Sequence, residues 1–391
     1  MTSETYRAEP AYLDYNATTP MRPEALSATC EALRAVGNAS SSHHQGRDAA
    51  SRVDRARRQL AALLNCSPGE LIFTSGATEA NNLALQATYA HTGLIITSAV
   101  EHPAVLETVR ALTGDAPDTL VILPVDGDGQ LNEDAFRASV EGKGVALVTI
   151  MLANNETGVI TDLVPVIEAA HDAGALVHTD ATQYVGRLPL DLGHLDVDLL
   201  SLSAHKFGGP QGVGALFIRR STPLPQRPLV FGGGHERGWR AGTLNVPGIV
   251  GLGAAAEAAS RQLDDEASRV TKLRDLLEGE VLARLPGSYI NGASTPRLPG
   301  VTSVTFPGAP ADAILASMPE VAASDGSACS AGAPSPSHVL LAMGLSREDA
   351  DSTVRLSTGY ATTEQEIHRG VDAIVRAVTH VRAVMGPAES A

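Results

Sequence analysis

The sequence predicts an α/β protein: a large domain with a mostly parallel sheet covered by helices, plus a smaller α+β domain. Three observations support this prediction. Short apolar runs alternate with helical patterns between residues 70 and 220, and the pattern changes after an Ala-rich helical stretch that begins at Gly248. The length of 391 residues is also sufficient for two domains. We expect the large domain at 16–258 and the small domain at 1–15 and 259–391.

Seven apolar runs rich in Val, Ile and Leu are the predicted strands of the large sheet. They are 71–74, 94–100, 120–125, 145–152, 175–179, 199–203 and 213–218. Helix candidates lie between them near 79–91, 103–112, 132–140 and 162–173. This alternation is typical of a parallel sheet that is buried on both faces. Because ligands in such sheets bind at the carboxyl ends of the strands, polar residues there are the first candidates for a site.

The carboxyl-terminal part of the chain has fewer and more widely spaced predicted strands. They lie near 287–291, 301–306 and 353–358, together with two long helical stretches. This pattern indicates a smaller α+β domain. Residues 324–337 are mostly Ser, Ala, Gly and Pro and include Cys329, a composition that predicts a mobile loop.

Composition limits the classes of partner and compartment. Apolar residues make up 43% of the chain, and no apolar stretch reaches the length of a membrane span. The 29 basic and 44 acidic residues give a net charge of −15, which disfavours non-specific binding to nucleic acid or to anionic membranes. The polar amino-terminal residues show no secretory signal, so we expect the cytoplasm. The three cysteines contain no C-x-x-C pair, so we expect neither a disulfide framework nor a metal site.

The most informative polar residues follow two neighbouring predicted strands. Asp180 and Lys206 each lie where an apolar run ends, 26 positions apart. Their strand ends meet at one edge of the predicted sheet, which brings a carboxylate and an amine together. A site for pyridoxal 5'-phosphate (PLP) needs this pair: a lysine that holds the cofactor as a Schiff base, and an acid that keeps the pyridine nitrogen protonated. Taken singly, the two residues have ordinary alternatives, an Asp that caps a helix and a Lys on a loop.

A cradle for the cofactor phosphate is predicted at residues 73–79, where a strand passes through Gly76 into a helical pattern. Backbone N–H groups at a helix start bind a dianion, and the Thr78 hydroxyl adds a donor. Ser203 and His205 are further donors at the neighbouring strand end. The motif is only moderately specific, because Ser, Gly and Thr begin many ordinary helices.

Other strand ends supply candidates for contacts with the cofactor ring and the substrate. His102 is placed to stack on the pyridine ring and to shuttle protons, although a packed histidine at a helix start is the common alternative. Residues 154–158 offer an amide donor or form a plain turn. Arg355, on a predicted strand of the small domain, is a candidate for two-pronged binding of an amino acid carboxylate; its alternative is a structural salt bridge.

Cys329 distinguishes sulfur chemistry from ordinary amino-group chemistry. Its Gly/Ser/Pro-rich surroundings are unlike those of a buried structural cysteine. A thiolate on such a loop can enter a cofactor pocket, attack sulfur and carry it out. Cys30 and Cys66 lie in helical or strand-flanking patterns, so we expect them to be structural.

Ordered motifs over nearly the whole length give the chain its resemblance to a known family. They lie at 12–20, 37–40, 46–47, 74–79, 101–102, 154–156, 180–183, 203–206, 232–237, 240–243 and 326–329. In these motifs the chain resembles the cysteine desulfurases, which are aminotransferase class V members of the fold type I PLP enzymes. The Ser-Ala-Cys form with a long loop is similar to the branch that serves general iron-sulfur assembly.

The resemblance implies a role for each matching position. The residues implied in catalysis are Lys206, Cys329 and His102. Those implied to hold PLP are Ala77, Thr78, Asn155, Asp180, Gln183, Ser203, His205 and Lys206. Thr243 of the partner subunit would complete the phosphate site, which implies a homodimer with shared active sites. Arg355 and Asn155 would bind the substrate carboxylate.

The implied reaction is the PLP-dependent removal of sulfur from L-cysteine. It would leave L-alanine and a persulfide on Cys329, from which an acceptor protein takes the sulfur. The acceptor stays open between an iron-sulfur scaffold and another thiolation pathway, because the longer carboxyl-terminal tail of housekeeping members has no counterpart here. The alternatives are a selenocysteine lyase or an aminotransferase with the same Lys and Asp, and a non-catalytic interaction protein that keeps the fold.

Overall fold

The structure, a computed structural model, describes residues 10–89, 93–114, 118–326 and 336–385. Cys329 and most of the predicted loop 324–337 lie outside these residues. The strands are β1 (Ala11–Tyr12), β2 (Leu71–Thr74), β3 (Leu94–Ser98), β4 (Leu120–Leu123), β5 (Val145–Thr149), β6 (Leu176–Asp180), β7 (Leu199–Ser203), β8 (Gly214–Ile218), β9 (Tyr289–Ile290), β10 (Val301–Thr305), β11 (Val321–Ala322) and β12 (Thr353–Ser357).

The helices follow the strands through most of the chain. They are α1 (Pro23–Arg34), α2 (His44–Leu64), α3 (Ala77–Thr88), α4 (Pro103–Thr113), α5 (Glu133–Val140), α6 (Val164–Asp172), α7 (Val246–Arg284), α8 (Ala311–Ala316), α9 (His338–Ala342), α10 (Arg347–Asp351) and α11 (Glu364–Met385). Among the described residues, no helix combines the length and the apolar character that crossing a membrane requires.

A seven-stranded sheet with the order β2-β8-β7-β6-β5-β3-β4 forms the centre of the molecule. Strand β8 runs antiparallel to both β2 and β7, and the other neighbours pair in parallel. The predicted α/β class with a mostly parallel sheet is therefore confirmed. The seven apolar runs correspond one to one to strands β2 to β8, and the predicted bounds of β2 and β7 match the observed ones at both ends.

Three predicted strands, 94–100, 120–125 and 145–152, extend past the observed ends of β3, β4 and β5. The extra residues Ile150, Met151 and Leu152 are buried, but they belong to irregular backbone at the edge of the sheet. An apolar run therefore overestimates strand length where the chain leaves the sheet but stays inside the protein.

The large core lies on one face of this sheet, under helices α1, α2 and the first half of α7, and two smaller cores lie on the other face under α3 and α4. The contact between these helices is close. A Cβ added at Gly251 would lie 2.2 Å from Thr29 Oγ1, and one added at Gly253 would lie 2.5 Å from Ala56 Cα. Glycine at these positions lets the backbones approach each other.

A small core is formed by the carboxyl-terminal part of the chain. Its antiparallel sheet has the order β12-β10-β9, and a short parallel pair joins β1 to β11. Phe306, Ile314 and Ile374 are fully buried between this sheet and helices α8 and α11. The strands predicted near 287–291, 301–306 and 353–358 correspond to β9, β10 and β12.

Helix α7 belongs to both cores. Ile249 and Leu252 in its first half are buried in the large core, and Leu273 and Leu277 in its second half are buried in the small core. The position 258/259, where the predicted domains meet, therefore lies inside one continuous helix of 39 residues.

Candidate active site

A cavity of about 610 Å³ opens at the carboxyl edge of the large sheet. Loops that follow β2, β3, β5, β6 and β7 form its wall, and β12 contributes Arg355. Most of the predicted site residues line this one cavity: Ala77, Thr78, His102, Asn155, Asp180, Gln183, Ser203, His205, Lys206 and Arg355. Of the other two, Thr243 is exposed and does not line the cavity of its own chain, and Cys329 lies outside the described residues.

Asp180 ends β6 and has a hydrogen bond to each carboxylate oxygen. Asn81 Nδ2 donates to Oδ2 at 2.7 Å, and the backbone N–H of Thr182 donates to Oδ1 at 2.9 Å. These donors hold the carboxylate at the end of the strand. An ionised acid in this place is what a protonated pyridine nitrogen requires.

His178 lies two residues before Asp180, on the same face of β6. Its ring is fully buried, with Nδ1 at 2.8 Å from Thr149 Oγ1 and Nε2 at 3.0 Å from Ser201 Oγ. Burial lowers the pKa of His178 to about 4, against an opposing effect of Asp180. At neutral pH the ring is therefore uncharged, and the position beneath Asp180 is polar but carries no cation.

Lys206 is held at the cavity by the turn that follows β1. Its Nζ donates to the carbonyl of Asn16 at 2.5 Å and to that of Ala17 at 3.0 Å. Gln183 Nε2 also donates to the Asn16 carbonyl, at 3.2 Å, and Asn16 Nδ2 donates to the carbonyl of Asn155 at 3.0 Å. Asn16 thus connects three predicted site residues, a role that sequence reasoning missed.

The predicted phosphate cradle is formed by the first turn of α3 and by the end of β7. Gly76 is the N-cap of α3 and has no side chain that could accept a hydrogen bond. The first N–H groups of this helix, which face the cavity, are therefore not capped by the Gly76 position. On the other side, His205 Nδ1 lies 3.2 Å from Thr18 Oγ1. Burial, together with the nearby cations Lys206 and Arg187, lowers the pKa of His205 to about 4. His205 is therefore a neutral hydrogen-bonding group.

His102 is the N-cap of α4, and Pro103 occupies the first helical position. The backbone N–H of Ala104 donates to His102 Nδ1 at 3.0 Å, which places the ring hydrogen of the neutral form on Nε2. Burial is the main cause that lowers the pKa of His102, with Asp180 opposing it. The neutral ring can therefore stack or donate from Nε2.

Arg355 is buried on β12 and lines the cavity. Its Nη1 donates to the carbonyl of Asn155 at 3.0 Å, and its Nη2 forms an ion pair with Asp14 Oδ1 at 2.9 Å. The structural salt bridge considered from the sequence is therefore present. Nε has no hydrogen-bond partner although it is buried, which leaves one guanidinium donor for an anion.

Several cavity residues have a buried polar atom without a hydrogen-bond partner in the described part of the chain. These atoms are Asn81 Oδ1, Asn155 Oδ1, Thr182 Oγ1, Gln183 Oε1 and Arg355 Nε. Each buried unsatisfied group costs about 1–3 kcal/mol, so the cavity is built for a polar ligand. With an amine, an acid and a helix amino terminus on its wall, the site fits PLP together with an amino acid.

Sequence reasoning also missed Asn81, which holds Asp180. A signal was available, because Asn81 lies four residues after Ala77 and therefore on the same face of α3. A fully buried amide on a face otherwise made of Ala and Leu indicates a specific partner.

The two cysteines within the described residues lie in different environments. Burial raises the pKa of the half-buried Cys66 thiol to about 12, so it is not a nucleophile at neutral pH. Cys30 lies on α1 but is exposed, so the expectation that it is a packed structural residue is wrong. Across the described ranges, His, Cys, Asp and Glu form no group of three that could hold a metal ion.

The fold and the cavity are those of a PLP-type transferase, and a family model supports this class. The model "Aminotransferase class-V" matches residues 11–369, so the chain belongs to the aminotransferase class-V family. A cysteine desulfurase of Gluconacetobacter diazotrophicus is 43% identical over 378 residues, which are 95% of this chain and 94% of that protein. An IscS-like cysteine desulfurase of Mycobacterium tuberculosis is 41% identical over 383 residues, 95% of this chain and 97% of that one.

Solved structures agree with these relatives. A NifS-like protein superposes with a TM-score of 0.86 at 35% identity, covering 95% of this chain and 100% of that one. The structure described as SspA in complex with cysteine has a TM-score of 0.78 at 32% identity, covering 89% and 98%. Within the class-V family, the chain is a member of the cysteine desulfurases, as its motifs predicted.

Proposed function

We propose that this cysteine desulfurase transfers the sulfur of L-cysteine to Cys329 and leaves L-alanine. The observation that carries the proposal is that Lys206 and Asp180, from the edge of the large sheet, and Arg355, from β12, line the same cavity. PLP, bound through Lys206, would supply the electron-withdrawing ring that makes the α-proton of the amino acid acidic. The residues of the chain bind the substrate, hold the charges and move the protons.

Lys206 is the proposed base. Its amine is oriented by the carbonyls of Asn16 and Ala17, and in its free form it would take the α-proton of the bound cysteine. Asp180 would be the acid beside the pyridine nitrogen, where hydrogen bonds from Asn81 and Thr182 to its two oxygens hold the carboxylate in place.

The substrate carboxylate is proposed to bind Arg355 through the guanidinium edge that contains the unpartnered Nε. Asn155 lies beside Arg355 and lines the same cavity, where its side-chain amide nitrogen would donate to the carboxylate. This pair orients the amino acid so that its α-proton faces the amine of Lys206.

The sulfur step uses Cys329 as a nucleophile. The Cys329 thiolate attacks the sulfur of cysteine, a sulfur-sulfur bond forms and the carbon-sulfur bond of the substrate breaks. The electron pair of the broken bond stays with the three-carbon fragment, which takes protons to become alanine. The protein then holds one persulfide sulfur for an acceptor.

The oligomer and the acceptor are part of the same proposal. We propose a homodimer in which Thr243 of the partner subunit completes the phosphate cradle. In support, Thr243 is exposed on its own chain, and large apolar side chains such as Phe231 and Val36 are 83% and 85% exposed. The proposed acceptor is an iron-sulfur scaffold or another thiolated protein, and the proposed compartment is the cytoplasm.

The test of this function follows the sulfur atom. The PLP-loaded protein is incubated with L-cysteine, and its intact mass and peptide map are measured together with alanine. We expect a gain of about 32 Da, one sulfur, on Cys329. Cys30→Ser is the matched control and should load sulfur like the wild type, because Cys30 lies on α1.

Cys329→Ser should keep the visible absorbance of bound PLP and lose sulfur transfer. Alanine formation at the wild-type rate in Cys329→Ser would remove Cys329 from the reaction. Amino-group transfer to an added keto acid, without sulfur loading, would instead indicate an aminotransferase. A strong preference for selenocysteine would indicate a selenocysteine lyase.

A further inference from the structure

One buried carboxylate lies between the two described ends of the segment that contains Cys329. Glu156 follows β5 and is 4% exposed. On one side, Ser337 Oγ donates to Glu156 Oε2 at 2.5 Å. On the other side, Gly326 lies so close that an added Cβ would be 3.0 Å from the same oxygen. Glu156 Oε2 therefore lies close to Gly326, before residues 327–335, and accepts a hydrogen bond from Ser337, after them.

The turn that carries Glu156 is itself rigidly held. Asn154 Oδ1 accepts hydrogen bonds from the backbone N–H groups of Glu156 and Thr157, at 2.8 and 3.0 Å. Asn154 Nδ2 donates to the carbonyl of Val100 at 3.0 Å. Because Asn155 of the same turn lines the cavity, a residue fixed by Glu156 is also fixed relative to the site.

Each described end has further contacts that set the direction of the chain. Before the segment, Ser324 and Arg355 exchange backbone hydrogen bonds, and Gly326 has a φ of +83°, which favours glycine. After it, Ser337 caps α9 by accepting from the N–H of Leu340 at 3.1 Å. His338 Nε2 lies 2.9 Å from the carbonyl of Glu101.

We infer that Glu156 is a positioning residue that holds both ends of the Cys329 segment against the turn whose Asn155 lines the cavity. It thereby sets how readily the thiol approaches the substrate sulfur. This inference rests on the proposed function, since it takes Cys329 as the sulfur acceptor. Three conditions are met together: the oxygen is buried, it accepts from one end, and it packs against the other.

The charge of Glu156 gives the inference a second readout. Burial is the main cause that raises the pKa of Glu156, against the hydrogen bond from Ser337 and the charge of Arg355, which lower it, and with a smaller upward contribution of Asp325; the net pKa is about 7. Near neutral pH both forms are therefore populated. The ionised form is the stronger acceptor for the Ser337 hydroxyl.

The experiment measures access to the Cys329 thiol in the PLP-loaded protein without cysteine. Iodoacetamide labelling of Cys329 is followed by peptide mapping and normalised to the exposed Cys30 of the same molecule. We expect Glu156→Ala and Ser337→Ala to raise the rate about fivefold or more, as for the loss of a hydrogen bond to a charged group. Both variants should also load persulfide more slowly.

Ser346→Ala is the matched control for the removed cap. Ser346 caps α10 by accepting from the N–H of Asp349 at 3.0 Å, in the same way as Ser337 caps α9. In the Ser346→Ala variant, Cys329 should be labelled at the wild-type rate. Unchanged Cys329 labelling in both Glu156→Ala and Ser337→Ala would overturn the inference, whether or not the wild type loads sulfur.

Glu156→Gln supplies the charge readout and serves where the Ala variant does not fold. The ratio of its labelling rate to that of the wild type should be near one at pH 6, where the wild-type acid is mostly neutral. It should depart from one by about threefold at pH 8, where only the wild type is charged. A ratio that is constant with pH would contradict the role of the charge. Absence of sulfur on wild-type Cys329 would refute the proposed function alone.

Discussion

Asn16 is the residue on which the geometry of the site depends most directly. Its carbonyl accepts from Lys206 and Gln183, its Nδ2 donates to the carbonyl of Asn155, and Arg187 donates to its Oδ1. Because Asn16 is fully buried, these bonds do not compete with water. The amine of Lys206 is therefore oriented before any ligand arrives.

The Asn81–Asp180 hydrogen bond leads to a prediction about cofactor binding. Asn81→Ala removes the donor to Asp180 Oδ2, so the charge of the carboxylate is held less well beside the pyridine nitrogen. A hydrogen bond to a charged group contributes roughly 1.5–3 kcal/mol, so we expect PLP affinity to fall by about tenfold or more. The measurement is a PLP titration by absorbance, together with the pH dependence of the bound spectrum.

Asn82→Ala is the control for this change, because Asn82 Nδ2 donates to the carbonyl of Thr78 within the same helix and not to Asp180. It should bind PLP like the wild type. Equal affinities in the Asn81 and Asn82 variants would show that Asp180 needs no support from α3.

The positions of cavity residues were predictable from the sequence where a polar residue ends an apolar run. This holds for Asp180, Ser203 and Lys206, which lie at or just after the ends of buried strands and line the cavity. Asn16 was not predictable in this way, because its partners lie 139 to 190 positions further along the chain. A pattern within one segment does not show which distant carbonyl an amine will meet.

Among the elements, α7 shows how closely helices pack on the large core. Gly251→Ala places a Cβ against Thr29 and Pro210, at 2.2 and 2.5 Å in the present geometry. Overpacking of this kind destabilises a protein by about 1–3 kcal/mol. We expect a lower urea midpoint with an unchanged m-value.

Gly279→Ala, on the same helix, provides the opposite case. Gly279 is exposed, and an added Cβ would meet no atom within 4 Å. Since Ala is the better helix former, this change should stabilise the protein by roughly 0.5–1 kcal/mol. Destabilisation by both substitutions to a similar extent would show that close packing at Gly251 is not the cause.

The elements themselves were largely predictable, because buried strands alternate with amphipathic helices in sequence. The short pair β1 and β11 was not predicted, since two-residue strands leave no periodic signal. The continuity of α7 was also missed. Its two halves bury different faces in different cores, so no single apolar stripe runs along its length.

The stability of the protein as a whole should respond to pH through Glu101. This carboxyl is fully buried, Oε1 accepts from Ser98 Oγ and the N–H of Met151, and Oε2 has no partner in the described part of the chain. Burial raises the pKa of Glu101 from 4.5 to about 8. The folded protein thus keeps a proton that the unfolded chain releases between these values, so this contribution to stability is lost as pH rises from about 4.5 to 8.

Glu101→Gln removes this proton linkage. We expect the unfolding free energy of the wild type, relative to Glu101→Gln, to decrease as pH is raised from 5.5 to 8.5 in the presence of excess PLP. Urea unfolding at three pH values measures it. Glu107→Gln, at an exposed ion pair with Arg110, should show a difference that is nearly constant with pH; a constant difference for Glu101→Gln as well would refute the linkage.

Helix α7 also determines which motions the enzyme can use. At 1.5 Å per residue, its 39 residues form a rod of about 58 Å that is anchored in both cores. Lys206 lies in the part of the protein that packs on the first half of α7, and Arg355 lies in the part that packs on its second half. Moving the two cores apart would therefore require bending a hydrogen-bonded helix. The distance between the amine of Lys206 and the guanidinium of Arg355 therefore stays constant and limits the length of the amino acid that fits between them. The motions that catalysis requires are then movements of segments within a domain and not of whole domains.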